Sequence, residues 1–143
     1  DNNNNCKNYN KLVNFVNQNM KNYDFLIGTC FKNGENKLFK EMLNWNGCEN
    51  SSIKDSIEYD YINHPNHLIN LKFGYGIDQG LIDYIKVHNI DTVHIVGCDS
   101  DGSVLATCFR LFDEQINFKV MKDYIYTTSN GERFKWYYFE SNR

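Results

Sequence analysis

The apolar positions of the chain switch repeatedly between a helical and an extended period. Leu12, Val13, Val16 and Met20 recur at helical spacing with Phe15 beside them, and Asn10 is placed to cap the helix they predict. Asp24-Phe25-Leu26-Ile27-Gly28-Thr29 then forms a continuous apolar run, the pattern of a strand covered on both faces. After a polar loop at 32–36, residues 37–43 predict a short helix with Leu38, Phe39 and Met42 inward, ending near Trp45. Residues 46–55 are polar and irregular, and 56–66 hold several tyrosines and the only proline, Pro65. Leu68-Ile69-Asn70-Leu71 reads as a second strand, broken by Gly74-Tyr75-Gly76. Leu81, Ile82, Tyr84 and Ile85 line a helix ending near His88-Asn89. Val93-His94-Ile95-Val96 is a third strand, followed by a small polar turn at 97–102 and a helix carrying Val104, Leu105, Cys108, Leu111 and Phe112. Residues 117–121 form a fourth strand that ends at Lys122-Asp123-Tyr124; 127–131 is a turn and 132–139 an aromatic-rich last helix.

The order is thus α-β-α-β-α-β-α-β-α. Regular alternation argues for a three-layer α/β/α, doubly wound domain with a mostly parallel sheet and helices on both faces. One domain is expected over residues 1–143, with residues 1–9 as a low-complexity, solvated start. Doubly wound domains usually open with a buried strand, and no apolar strand is visible before residue 12. That strand either lies outside this sequence or is hidden in the Asn-rich start.

Bulk properties narrow the function classes. Apolar residues make up 41% and aromatics 15%, a globular composition. Formal net charge is −3 and there is no Lys/Arg block, which argues against a nucleic-acid or anionic-membrane partner. No apolar run approaches the ~18 residues of a membrane span, and the start lacks the apolar core of a secretion signal. The five cysteines are odd in number with no CxxC pair, which fits reduced thiols and a cytoplasmic protein.

Chemistry concentrates in the strand-turn-helix unit at 91–113. In open α/β sheets ligands bind at the carboxyl ends of strands, where this turn lies. Its amides point out of a helix N-terminus and favour negative charge. Ser103 begins the helix, so its hydroxyl and amide are expected to face the crevice.

The segment GCDSDGSVLATCFRLFD at 97–113 resembles the signature of the isochorismatase-like cysteine hydrolases, whose pattern is strand, Gly-x-x-Thr-Asp-x-Cys-Val-x-x-Thr-Ala, helix. Residues 24–33 resemble the family's second strand and following loop, and 38–45 a segment ending in Gly-Trp found in one subgroup. Leu71-Lys72-Phe73-Gly74-Tyr75 resembles the family's Lys-x-x-Tyr, and 120–124 its Leu-x-Asp-Tyr strand end. The resemblance covers roughly residues 11–140. It implies hydrolysis of a small amide or related carbon–nitrogen substrate by an Asp-Lys-Cys triad, without a cofactor, in a homo-oligomer. Lys72 matches the lysine, Ser103 occupies the nucleophile's position, and the amides of Asp99 and Ser103 match the oxyanion hole. The family's non-proline cis peptide maps to Cys98-Asp99. Tyr75, Trp45, Phe73 and Tyr124 are candidates to line a pocket for a flat small molecule.

Two departures stand out. Serine replaces the cysteine at 103, and the Asp that ends the family's first strand has no visible counterpart, Asp1 being a weak substitute. The resemblance therefore admits a hydrolase, an inactive relative, or a non-catalytic binding or scaffold protein of the same fold. A third class comes from Asp99-Ser100-Asp101-Gly102, which resembles the Asp-x-Asp-Gly of DHH-type metal phosphoesterases; the Asp-His-His run of that family is absent. His64-Pro65-Asn66-His67 lacks the family's zinc spacing and reads as a loop. His94 reads as a hydrogen-bonded core histidine; Cys98, a rival nucleophile directly after the strand but five residues before the family's position, reads as a buried thiol.

Overall fold

Helices and parallel strands alternate along the chain in the computed structural model, which describes residues 2–51 and 63–129. Helix α1 (Asn2–Asn19) leads through a 3-10 turn at Met20–Asn22 into strand β1 (Leu26–Phe31). A short helix α2 (Leu38–Glu41) follows, then β2 (His67–Lys72), α3 (Gln79–Val87), β3 (Thr92–Cys98), α4 (Ser103–Asp113) and β4 (Asn117–Tyr126). The expected helix at 132–139 lies outside the described residues, as do residues 56–62 of the tyrosine-containing segment at 56–66.

Two element boundaries differ from the sequence reading. Helix α1 starts at Asn2, well before the cap expected at Asn10. No Gly or Pro interrupts the segment, and once a helix is nucleated each further residue gains a hydrogen bond that offsets asparagine's middling propensity. Strand β4 runs on through the stop expected at 122–124. Pairing with β3 shifts there: Ile95 faces Val120 but Gly97 faces Ile125, so the extra β4 residues bulge out between the two pairs. Gly97 takes φ 125° at this irregularity, a conformation that a side chain would strain.

β1 pairs in parallel with β2, from Leu26 with His67 to Phe31 with Lys72, and β3 pairs in parallel with β4. The expected sheet is present as these two parallel pairs, which share no hydrogen-bonded strand among the described residues. The core joins α3 and α4 to β3: Ile77, Leu81, Ile82, Ile85, Ile95, Val104 and Leu111 are buried, with Ile27, Leu68 and Phe118 packed at its margin. Helix α3 is set by Asp78, whose carboxylate accepts the Leu81 amide at 2.9 Å as an N-cap. In α4, Val104 and Leu111 lie seven residues apart on one face, while Phe112, expected inward, is 72% exposed. It sits about 100° around the helix from Leu111, beyond the stripe that the strands cover.

Ile82 and Leu111 are fully buried. Ile82→Ala is expected to destabilise the fold by about 2–5 kcal/mol through lost transfer energy and a residual cavity. Urea unfolding would show the midpoint falling with the slope unchanged; a loss under ~1 kcal/mol would mean that α3 does not anchor the core.

Candidate functional site

Lys72 is the last residue of β2 and is only 4% exposed. Its ammonium donates a hydrogen bond to the Tyr75 carbonyl, because Gly74-Tyr75-Gly76 curls the chain back over the strand end. Gly76 brings this turn against α4: a β-carbon there would touch the Ala106 carbonyl oxygen at 3.6 Å. Burial removes water from the ammonium and lowers the Lys72 pKa from 10.5 to about 8, with the Asp78 carboxylate opposing the shift.

The second half of the site is the turn between β3 and α4. The peptide bond Cys98-Asp99 is cis, at the position that the resemblance indicated. The Ser100 amide donates to the Tyr126 carbonyl at 2.8 Å, and the amides of Gly102 and Val104 donate to the Asp99 carbonyl at 3.0 and 3.1 Å. The Asp99 carboxylate accepts from the amide and hydroxyl of Thr128, each at 3.0 Å. Asp101 accepts from the Thr127 hydroxyl at 2.6 Å and from the Ser129 hydroxyl. Both carboxylates thus tie the turn to residues 127–129. Ser103 opens α4, where the leading amides have no acceptor in a preceding helical turn.

Lys72 and Ser103 line one cavity of about 230 Å³, together with Thr29, Cys98, Val104 and Thr107 at the carboxyl ends of the strands. Two segments 31 residues apart in the chain therefore bring an amine, a hydroxyl and a helix N-terminus to a common space. Such a space can hold a small carbonyl compound, with a nucleophile on one wall and amides to receive developing negative charge.

The aromatic candidates divide into two groups. Trp45 and Tyr75 belong to one cluster with Phe31 and Phe39: ring centroids are 5.9 Å apart for Phe31 and Trp45, and 5.1 Å for Phe39 and Tyr75. Buried Asn33 holds this cluster by donating from its side chain to the Trp45 carbonyl at 3.1 Å. Phe73 is 39% exposed next to Lys72. Tyr124 lies elsewhere, stacked on Phe15 at 3.7 Å where α1 meets β4.

Two side chains differ from their expected burial. Cys98, expected as a buried thiol, is exposed and lines the same cavity as Lys72. Its place directly after the apolar run is the sequence signal that makes it a rival nucleophile, and its exposure follows from standing at the end of β3. His94, expected in the core, is exposed along β3, with its Nδ1 2.9 Å from the Tyr23 hydroxyl. His64 is buried and works as a loop staple: Nε2 donates to the Tyr23 carbonyl at 2.7 Å, and Nδ1 accepts the Asn66 amide at 3.0 Å. Among the described residues no three His, Cys, Asp or Glu side chains gather to hold a metal ion. No helix among them is long and apolar enough to cross a membrane.

No protein-family model matches the chain, and no curated protein matches its sequence. Solved structures do. The nicotinamidase PncA of Bacillus subtilis matches with a TM-score of 0.67 at 16% identity, over 90% of this chain and 80% of that one. The N-carbamoylsarcosine amidase of Thermoplasma acidophilum matches at 0.63 and 15% identity, over 92% of this chain and 77% of that one. The nicotinamidase SaPncA of Staphylococcus aureus matches at 0.61 and 18%, over 90% and 81% of the two chains. The chain has the isochorismatase-like α/β fold that these nicotinamidases and the N-carbamoylsarcosine amidase display.

Proposed function

We propose that this protein is a hydrolase of the isochorismatase-like kind, acting on a small amide or related carbon–nitrogen bond. The observation that carries the proposal is the shared cavity of Lys72 and Ser103 at the carboxyl ends of the strands. In this reading the Ser103 oxygen attacks the substrate's carbonyl carbon. Its proton passes to the Lys72 amine, which at a pKa of about 8 is neutral in roughly one molecule in ten at pH 7. The amides of Asp99 and Ser103 receive the charge developing on the carbonyl oxygen. Lys72 then protonates the departing nitrogen, and water cleaves the acyl ester to release the acid. Trp45, Tyr75 and Tyr124, the aromatics expected to hold the substrate, are not among the residues that line this cavity, and the reading gives them no part in it.

A second nucleophile is available to the same cavity. The exposed Cys98 shares it with Lys72, and a lysine near a thiol raises the thiolate fraction. Ammonia release from a panel of primary amides and N-carbamoyl compounds tests both. Serine chemistry predicts that Ser103→Ala lowers turnover at least 100-fold while Cys98→Ala leaves most of it; the reverse pattern assigns the reaction to Cys98. Ligand-dependent thermal shifts with no ammonia from any compound would make the protein a binding module of this fold instead.

A further inference from the structure

The turn that opens α4 carries two carboxylates next to the amides proposed to receive the oxyanion. An aspartate side chain ordinarily accepts from the backbone amide two residues on, forming an Asx turn. For Asp101 that amide belongs to Ser103, and Gly102 between them has no side chain to obstruct the approach. The helix N-terminus adds its own attraction for the charge. Left to local forces, the Asp101 carboxylate would cap α4 and fill the position where negative charge must develop on a substrate.

It is drawn the other way. Oδ1 of Asp101 accepts the Thr127 hydroxyl at 2.6 Å, and Oδ2 accepts the Ser129 hydroxyl. A carboxylate only accepts, so each hydroxyl gives it its single proton. The Thr127 oxygen also accepts the Ser129 amide at 3.1 Å, which fixes the two hydroxyls relative to one another. Thr128 holds the other acid in the same manner, its amide and hydroxyl each 3.0 Å from Asp99 Oδ1. The triplet is itself anchored. Tyr126, immediately before it, pairs with Cys98 across β3 and β4, and its carbonyl accepts the Ser100 amide at 2.8 Å. Two charge-assisted bonds at one carboxylate outweigh the single bond of an Asx turn.

We infer that Thr127 and Ser129 are positioning residues of the proposed hydrolase: they hold the Asp101 carboxylate away from the Ser103 amide and so keep that amide open to the substrate's carbonyl oxygen. The inference rests on the reading of that amide as an oxyanion donor. Neither hydroxyl needs to touch the substrate. Without them the carboxylate becomes an internal competitor of the oxyanion, four bonds of chain away from the amide that both require.

The test compares the pair Thr127→Val, Ser129→Ala with the same pair carrying Asp101→Ala. Two quantities are measured, hydrogen exchange at the Ser103 amide by NMR and kcat/KM for ammonia release from the amide panel. In the pair, exchange at Ser103 is expected to slow at least tenfold and kcat/KM to fall at least tenfold, as the carboxylate takes the amide. Adding Asp101→Ala is expected to return both to within threefold of the parent chain. A merely structural tie would be lost with or without Asp101, so activity that stays low once the carboxylate is gone overturns the inference. Exchange at Ser103 no slower in the pair than in the parent overturns it too, as does slowed exchange with kcat/KM unchanged. A parent chain that releases no ammonia from any compound removes the hydrolase reading itself. Slowed exchange reversed by Asp101→Ala then still supports the placing of Asp101, and unslowed exchange overturns it. Should the pair fail to fold, Ser129→Ala alone is taken through both measurements, and parental values in that folded chain overturn the inference.

Discussion

Replacing Ser103 with Cys, in a Cys98→Ala background, is expected to raise the rate of covalent alkylation at position 103 by on the order of 100-fold or more at pH 7. A serine hydroxyl carries negligible alkoxide at neutral pH, whereas a free thiol is already a few per cent thiolate. The position should widen that gap. A thiol there opens a helix N-terminus and shares a cavity with the buried amine of Lys72, both of which stabilise a thiolate. Iodoacetamide labelling followed by peptide mass spectrometry measures it, with ammonia release from the amide panel alongside. Labelling at Cys30 or Cys108 at the rate found at position 103 would show that the site confers no special reactivity. The Ser103→Cys, Lys72→Met pair separates the two influences, since the helix terminus remains when the amine is gone.

Lys72→Met is expected to be more stable than the parent chain at pH 7 and at least 100-fold less active. Lys72 has its pKa lowered to about 8 in the fold from 10.5. That gap, at ~1.36 kcal/mol per pH unit, makes the buried charge cost about 3 kcal/mol at neutral pH. Below pH 8 both folded and unfolded chains hold the proton and the cost is fully present. Between 8 and 10.5 the unfolded chain holds the proton that the folded chain has lost, so stability rises with pH. Methionine fills a similar volume without a charge, and a gain of about 1–3 kcal/mol at pH 7 is expected, with no rise above pH 8 attributable to this position. Urea unfolding of both chains from pH 7 to 10.5 tests this. Parallel stability curves, or a less stable variant at pH 7, would show that Lys72 carries its charge in the fold without penalty. A buried ammonium that donates to the Tyr75 carbonyl and feels the Asp78 carboxylate, yet has its pKa lowered by desolvation, suits the role proposed for Lys72.

The two halves of the site were legible in the chain to different degrees. The turn at 97–102 announces itself, because an apolar β-branched run, a stretch of small and acidic residues and an amphipathic helix follow one another without a gap. Lys72 is one of fifteen cationic side chains, and its neighbours Gly74 and Tyr75 indicate a break rather than burial. The carboxylates show the limit of residue type as a guide. Asp99 and Asp101 have the spacing of metal ligands, yet their oxygens accept from Thr128, Thr127 and Ser129, residues nearly thirty positions away. Cys98, His94 and Phe112 were misjudged for a common reason: local apolar character reports what could be covered, and coverage depends on which neighbours arrive.

Sequence alone determined the alternation of elements, the parallel α/β class and the strand-turn-helix unit that bears Ser103. Those follow from periodicity and turn chemistry, which act over a few residues and need no distant partner. Tertiary structure decided that Lys72 is buried and shares a cavity with Ser103, that the acidic turn is tied to residues 127–129, and that the described strands stand as two parallel pairs. Burial, pairing and desolvation are properties of surfaces brought together across the chain, so they come into being only when those surfaces meet.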